Sequence, residues 1–343
     1  MNRNLVRLLI SILCLWILFA TLADIRDVGA SIASMSLSSL LIGLAVVTAD
    51  RSLMTFKWLL LLKSVNHHLP WWRGMTMYGT STLIGSVLPS TAGSDVIRGV
   101  WATRAGLSGA HVAASILVER FTGFLSVLLL GVVAQIYLAT RAELPPEAHM
   151  LFVLSIVIFV ATIATVVLAL RPQTGHWLLE RLPPKVREHR IAHKIFGVLD
   201  ACRELGAERS TLMRFFVLTL AEQLLPVMLT IALARGLNLQ VSPGWLFSGL
   251  MLSLIAARAP ISIDGIGVFD ALFASLMALA GVPAAASVAI TFVSRILQAI
   301  ACTPWAIVAL LTRRTQNEAR VNYEAPGAPP PGAPREPRIV SEV

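Results

Sequence analysis

The chain has 343 residues, of which 56% are apolar and only 14% charged. Soluble domains carry about 25% charged residues, so this composition excludes an ordinary soluble globular protein and indicates an integral membrane protein. The formal net charge is +9, but its basic residues cluster at the N-terminus, in 171–214 and near the C-terminus, which signals membrane topology rather than a nucleic-acid partner.

The first apolar run, 5–23, follows Arg3 and has about the length a bilayer requires. Thr21 and Ala23 are small, so a cleaved signal peptide competes. The run exceeds the usual signal-peptide core, which favours an uncleaved helix. The acidic turn 24–27 then lies outside. A second helix is expected over about 35–62, longer than one bilayer thickness. Asp50 and Arg51 fall near its middle and read either as an intramembrane pair or as headgroup residues at a helix end. Lys57, Lys63, His67, His68 and Arg73 mark the cytoplasmic side.

The run 75–88 is only about 14 residues, roughly 21 Å as a helix, too short for a core of about 30 Å. Pro89 breaks it, small residues through Gly93 follow, and Asp95, Arg98 and Arg104 come next. We read 75–105 as a re-entrant hairpin from the cytoplasm, with its non-helical tip buried in protein or lining a wet cavity. A full span is expected over 111–137, with Glu119 and Arg120 near its start and Arg120 able to face the hairpin. The loop 139–149 is external, and 150–170 returns inward.

Residues 171–214 hold nine Arg or Lys and five acids, which places them in the cytoplasm. Ile191, Ile195, Val198, Leu199, Cys202 and Leu205 recur at helical spacing. They describe an amphipathic helix on anionic lipid, or a connector whose charges only fix topology. The span 212–233 carries Glu222 and Gln223 near its centre, with Pro226 one turn on. Glu222 could gate, carry a proton for coupled transport, or pair with an Arg of another helix. The run 245–257 is again too short to cross. Arg258, Pro260, Asp264, Gly265, Gly267 and Asp270 follow it, giving a second hairpin that enters from outside. The last span, 284–311, contains Arg295, and Arg313 and Arg314 hold the C-terminus inside.

The expected fold is therefore all-α and polytopic. It has about six full transmembrane helices and two oppositely oriented re-entrant hairpins in an inverted repeat. The transmembrane domain covers 1–316, as a first half 1–170, a cytoplasmic connector 171–211 and a second half 212–316. A Pro-rich disordered tail, 317–343, follows. Ile116-Leu117-Val118-Glu119-Arg120-Phe121 is similar to Thr291-Phe292-Val293-Ser294-Arg295-Ile296 at equivalent places in the two halves. Counted from the prolines, the arginines sit 31 and 35 positions on (Pro89 to Arg120, Pro260 to Arg295). Inverted repeats with broken helices are the architecture of secondary transporters, whose sites lie near the bilayer midplane.

On these residues the chain resembles the flippase-like transmembrane family that includes the membrane domain of lysylphosphatidylglycerol synthases. The likeness covers roughly 5–312. The first hairpin motif is carried by Pro89, Gly93, Ser94, Asp95 and Arg98, followed by the Glu119-Arg120 helix. The second is carried by Pro260, Gly265, Gly267 and Asp270, followed by Arg295. The sequence departs from the pattern at Ser94, in place of a second Gly, at Asp270, where Glu is commoner, and at Gly123, where an acid often stands. The resemblance implies lipid translocation in the bacterial inner membrane. The aminoacyl-transferase domain of the synthases is not expected in this chain, and neither is enzymatic activity.

In this reading Arg98, Arg120, Arg258 and Arg295 meet a phosphate, because guanidinium matches its oxygens bidentately. Each of them singly also fits an interfacial anchor. Asp95, Asp264 and Asp270 orient these arginines or bind a cationic headgroup. Pro89, Gly93, Pro260, Gly265 and Gly267 permit the broken backbone. Glu222, Asp50 and Arg51 are coupling candidates. No cofactor or metal is expected: Cys14, Cys202 and Cys302 have no metal-type spacing and read as inert packing thiols, and no ATP-binding phosphate loop is present. The partners are membrane lipids, with a homo-oligomer or a partner lipid or glycan enzyme left open. A membrane-embedded lipid-phosphate transferase and a non-transporting scaffold for such an enzyme are the competing functions.

Overall fold

The computed structural model of the chain describes residues 3–86, 93–141, 157, 160, 161, 164, 190–258 and 265–324. Among them there is helix and no strand. In chain order the elements are α1 (Arg3–Ile17), a π-helical turn (Leu18–Leu22), α2 (Ile25–Ser34), α3 (Leu37–Ser64), α4 (Trp71–Ser86), α5 (Gly93–Arg104) and α6 (Gly109–Arg141). After the connector come α7 (Arg190–Ala207), α8 (Arg209–Gly236), α9 (Pro243–Ala257), α10 (Val268–Leu279) and α11 (Ala284–Glu324).

Four of the described helices, α3, α6, α8 and α11, are long and apolar enough to cross a membrane. The α1 segment and α2, bent by 84° at their junction, make a fifth if counted as one span. The sixth expected span, 150–170, lies largely outside the described residues, as do 171–189, the Pro-rich stretch 325–343, and Pro89, Pro260 and Asp264.

Several boundaries differ from the sequence reading, each for a local reason. The acidic turn at 24–27 begins a helix rather than a simple exit. Asp24 caps α2, its Oδ1 accepting the Arg26 N–H at 2.7 Å, which satisfies one of the orphan donors of a helix start. The helix α4 begins at Trp71, one turn earlier than expected, because the Pro70 carbonyl accepts from Arg73 N–H and Gly74 N–H at 3.0 and 3.1 Å. Its 16 residues still span only about 24 Å. At the other end, α11 continues to Glu324, past residue 316 where the tail was expected to begin.

The two halves of the chain interlock. Gly236 of α8 sits on Ser39 of α3, and Gly43 of α3 faces Leu229 and Leu297. Gly79 of α4 lies 3.1 Å, as a virtual Cβ, from Trp305 of α11. Ser248 of α9 donates to the Ala134 carbonyl of α6 at 3.1 Å. Small residues at crossings let apolar helices approach closely where no hydrophobic force separates helix from lipid. The largest cluster, including Met251, Phe273, Met277, Val288 and Ile290, closes the second half around α9, α10 and α11.

The connector helix α7 is amphipathic, as its spacing predicts, and over 198–205 its apolar side chains pack against the protein. Ala201 and Leu205 are buried, and with Val198 and Cys202 they pack against Leu61, Ala114 and Phe215. Burial pushes the Cys202 thiol up, in keeping with an inert packing role.

Candidate functional site

The first pair of short helices, α4 and α5, folds back on itself. A Cβ at Gly85 would stand 2.8 Å from the Ser94 backbone nitrogen, so the end of α4 touches the start of α5. This places Asp95 in the first turn of α5, where the partial positive charge of a helix N-terminus favours a carboxylate. Asp95 holds two arginines. Its Oδ2 accepts from Arg120 Nε at 2.6 Å and its Oδ1 from Arg98 Nη2 at 3.3 Å.

Arg98 is 2% exposed, and its position is set from every side. Its Nη2 also donates to Glu119 Oε2 at 2.8 Å, and Tyr78 Oη–H donates to Glu119 Oε1 at 2.5 Å. The guanidinium carbon lies 4.3 Å from the Tyr78 ring centroid and 4.9 Å from that of Trp58. Trp58 is in turn oriented by its indole N–H, which donates to Ser115 at 3.1 Å. Arg98 Nε and Nη1 make no hydrogen bond and are covered. Arg120 is about half exposed and is the more accessible of the two.

The second pair, α9 and α10, repeats this arrangement. Asp270 lies in the first turn of α10 and is fully buried. Both its oxygens accept from Arg295 Nη1, at 2.8 and 2.9 Å, and its Oδ2 also takes the Gly267 N–H at 3.0 Å. Asp95 and Arg120 are 25 residues apart, and so are Asp270 and Arg295. In each case an Asp opening the second short helix binds an Arg on the long helix that follows. Gly265 and Gly267 have φ of +73° and +84°, a region that only glycine enters at low cost.

Between these elements lie two adjoining cavities. The first, of about 260 Å³, is lined by Arg51, Lys57, Arg98, Arg120 and Arg258 together with Asp95, Glu119 and Glu222. The second, of about 320 Å³, is lined by Asp50, Arg258 and Arg295 with the more apolar Phe269, Phe273 and Leu254. Arg51, Met54, Glu222, Gln223, Arg258 and Gln298 belong to both. A smaller space of about 250 Å³ runs between Thr82 and Ser86 at the end of α4 and Ile266 and Arg295 of the second half. The two broken elements therefore face one another.

Of the residues singled out in the sequence, Asp95, Arg98, Glu119, Arg120, Arg51, Glu222 and Arg258 come together on the first cavity, with Gly93 at the adjoining start of α5. Asp50 and Arg295 face the second, and Asp270 lies beneath Arg295. Asp50 and Arg51 form an ion pair of chain neighbours, at 2.5 Å, inside the helix rather than at its end.

Two corrections concern the coupling candidates. Lys57, read from the sequence as marking the cytoplasmic side, is not an exposed lysine at a helix end. It is 1% exposed and makes a very short ion pair with Glu222, while donating to Thr219 at 3.1 Å. The partner of Glu222 is thus a lysine of α3, not an arginine. Lys57 could have been found from its spacing, since it lies seven residues beyond Asp50 on one face of a single helix. Tyr78 and Trp58 were also missed, and aromatic residues in an apolar helix carry no local signal of a cation against them.

Compared with known proteins, no curated protein matches the chain. Residues 4–306 match the lysylphosphatidylglycerol synthase TM region. The match covers most of the 343 residues and includes both Asp–Arg pairs and the cavities between them. This multi-pass helical membrane protein accordingly belongs to the lysylphosphatidylglycerol synthase TM region family.

Proposed function

We propose that the protein carries an anionic phospholipid, or a lipid-linked phosphate headgroup, between the leaflets of a bacterial inner membrane. One observation carries this reading. The first cavity holds five basic and three acidic side chains within an otherwise apolar helix bundle. Charge at that depth is costly and is retained where something charged must be accommodated. A surplus of guanidinium groups suits phosphate, whose oxygens they match in geometry.

The architecture supports the same reading. Two pairs of helices too short to cross, each followed by a long helix whose Arg is held by an Asp 25 residues earlier, fit oppositely oriented re-entrant hairpins of an inverted repeat. Sites between such repeats are sites of alternating access. In this topology both termini and the basic connector are cytoplasmic. The chain acts as a carrier and performs no covalent chemistry on the lipid. Lys57 and Glu222, joining α3 to α8, are the pair that parts and reforms as the two sides open in turn.

The test is transfer of fluorescent phospholipids in proteoliposomes, with an Arg98→Ala/Arg295→Ala variant alongside. The wild type speeds transfer over empty vesicles, and the folded variant does not. Unchanged transfer in the variant removes the cavities from the pathway. No acceleration of any anionic lipid, with or without an imposed ion gradient, refutes the carrier reading.

A further inference from the structure

The carboxylates around the two cavities are not held alike, and on the carrier reading above the difference bears on how transport is driven. Asp50, Asp95, Glu119 and Asp270 each rest on an arginine. Glu222 rests on a lysine, Lys57. An arginine stays charged in a protein and binds as a rigid fork, whereas a lysine is a point charge on a flexible four-carbon stem. Arg98 is moreover pinned between Tyr78, Trp58 and Glu119. Among these pairs, that of Lys57 and Glu222 is the one whose cation can swing to a new partner.

Both members line the first cavity, and Glu222 lines the second as well. Lys57 is 1% and Glu222 7% exposed. A phosphate in the first cavity competes with Glu222 for the lysine. When Lys57 turns to it, Glu222 is left as a buried charge that has lost its partner, which is costly. The charges around Glu222 do not replace that partner. Asp50 and Arg51 of α3 hold one another. Glu119 and Arg120 of α6 are engaged with Arg98 and Asp95 of α5, and Arg295 of α11 with Asp270. Arg258, at the end of α9, lines both cavities. The connector helix α7 meets α8 through apolar side chains.

A proton removes the stranded charge. Protonated Glu222 becomes a neutral hydrogen-bond donor, and Gln223 and Gln298, which line both cavities with it, carry amide oxygens that accept. Asp95 needs no such proton, because it keeps Arg98 when Arg120 turns to the phosphate.

We propose that the carrier takes up one proton at Glu222 for each phosphate headgroup it binds, as Lys57 passes from Glu222 to the phosphate. The proton comes from water in the cavity and returns to water when the headgroup leaves and the ion pair re-forms. One negative and one positive charge enter together, so the charge of the site is unchanged. Proton and headgroup cross in the same direction, and a pH gradient drives the headgroup toward the alkaline side. The linkage depends on the phosphate and is indifferent to the group esterified to it.

The test is proton uptake by the purified full chain in weakly buffered detergent, read with a pH-sensitive dye as phosphatidylglycerol is added. About one proton should be taken up per lipid bound, and affinity should fall about tenfold for each pH unit of rise. In Glu222→Gln, uptake should vanish and binding should be the same from about pH 6 to about pH 8, exceeding that of the wild type at the upper end. No uptake by the wild type, or uptake that survives Glu222→Gln, overturns the inference. Loss of uptake in Asp95→Asn with its retention in Glu222→Gln assigns the proton to Asp95 and overturns it equally. In proteoliposomes, an acid-outside gradient should raise inward transfer of the fluorescent lipid. Transfer without proton uptake leaves the carrier standing and removes the coupling, whereas uptake without transfer upholds the linkage at Glu222 while the carrier reading fails.

Discussion

Lys57 of α3 and Glu222 of α8 form a buried ion pair that ties the first half of the chain to the second. Removing one partner of such a pair strands the other charge, at a cost of about 3–5 kcal/mol in protein interiors. Lys57→Met and Glu222→Met should each lower the unfolding temperature in detergent sharply, and the double substitution should recover most of the loss. Losses that simply add would show that the two side chains are not energetically coupled.

Arg98 should not be replaceable by lysine. Its planar guanidinium lies against Tyr78 and Trp58 while one nitrogen serves both Glu119 and Asp95. An ammonium provides neither the plane nor the fork. Arg98→Lys should reduce binding of an anionic phospholipid by about tenfold or more, in the range set by losing a charge-assisted hydrogen bond. Wild-type affinity in the lysine variant would reduce Arg98 to a bare point charge.

Gly85 and Gly267 mark two close approaches. An alanine methyl at 85 meets the Ser94 backbone, and one at 267 meets Cys14 Cβ at 2.7 Å while forcing a side chain into a left-handed backbone. Overpacking costs about 1–3 kcal/mol, and the left-handed conformation adds about 1–2 kcal/mol at residue 267. Gly267→Ala should therefore be the more damaging of the two. Chymotrypsin sensitivity and unfolding temperature would reveal the order, and equal stability of the two variants would contradict it.

A pH effect follows from His67, in the loop between α3 and α4. Its pKa is lowered below the ordinary 6.5 by burial first, then by His111 and His68. His67 Nε2 lies 3.0 Å from His111 Nδ1, and His111 Nε2 lies 2.8 Å from Glu204 of α7. The folded state therefore prefers neutral His67. Above about pH 6.5 the residue is neutral in both states and exerts no penalty. As pH falls below that, the unfolded chain binds the proton first, and the fold loses stability until the lowered folded pKa is passed. Unfolding temperature should drop between about pH 7.5 and pH 5, and His67→Ala should narrow the drop. An unaltered drop in that variant assigns the effect elsewhere.

The long apolar runs made the membrane class and the principal helices readable from sequence, because a span is a property of one continuous segment. The broken elements were readable for the same reason, since 75–88 and 245–257 are too short to cross. What escaped notice depended on partners remote in sequence. Lys57 resembles a helix-end lysine until Glu222, 165 residues later, is seen beside it. Trp58 and Tyr78 resemble core residues until Arg98 lies on them. The repeat was sought from its prolines, which give unequal distances of 31 and 35. Measured from Asp95 and Asp270, which make the contacts, the two Asp–Arg pairs share one spacing of 25. The helix α2 was overlooked because it is short and moderately polar, and its start depends on the capping role of Asp24.

The sharing of Asp95 between Arg98 and Arg120 has a consequence for turnover. Both guanidinium groups already possess a counterion when nothing is bound. If a phosphate is the ligand, as proposed, its arrival at Arg120 would exchange with Asp95 instead of filling an unmet charge, so the attraction at the site would be a difference between two similar contacts. On the carrier reading proposed above, such a site would hold its passenger weakly and let it go by the same exchange in reverse, with Asp95 returning as the phosphate departs. Release needs no separate force to pull the anion from an array of bare cations, and that suits a passage better than a store.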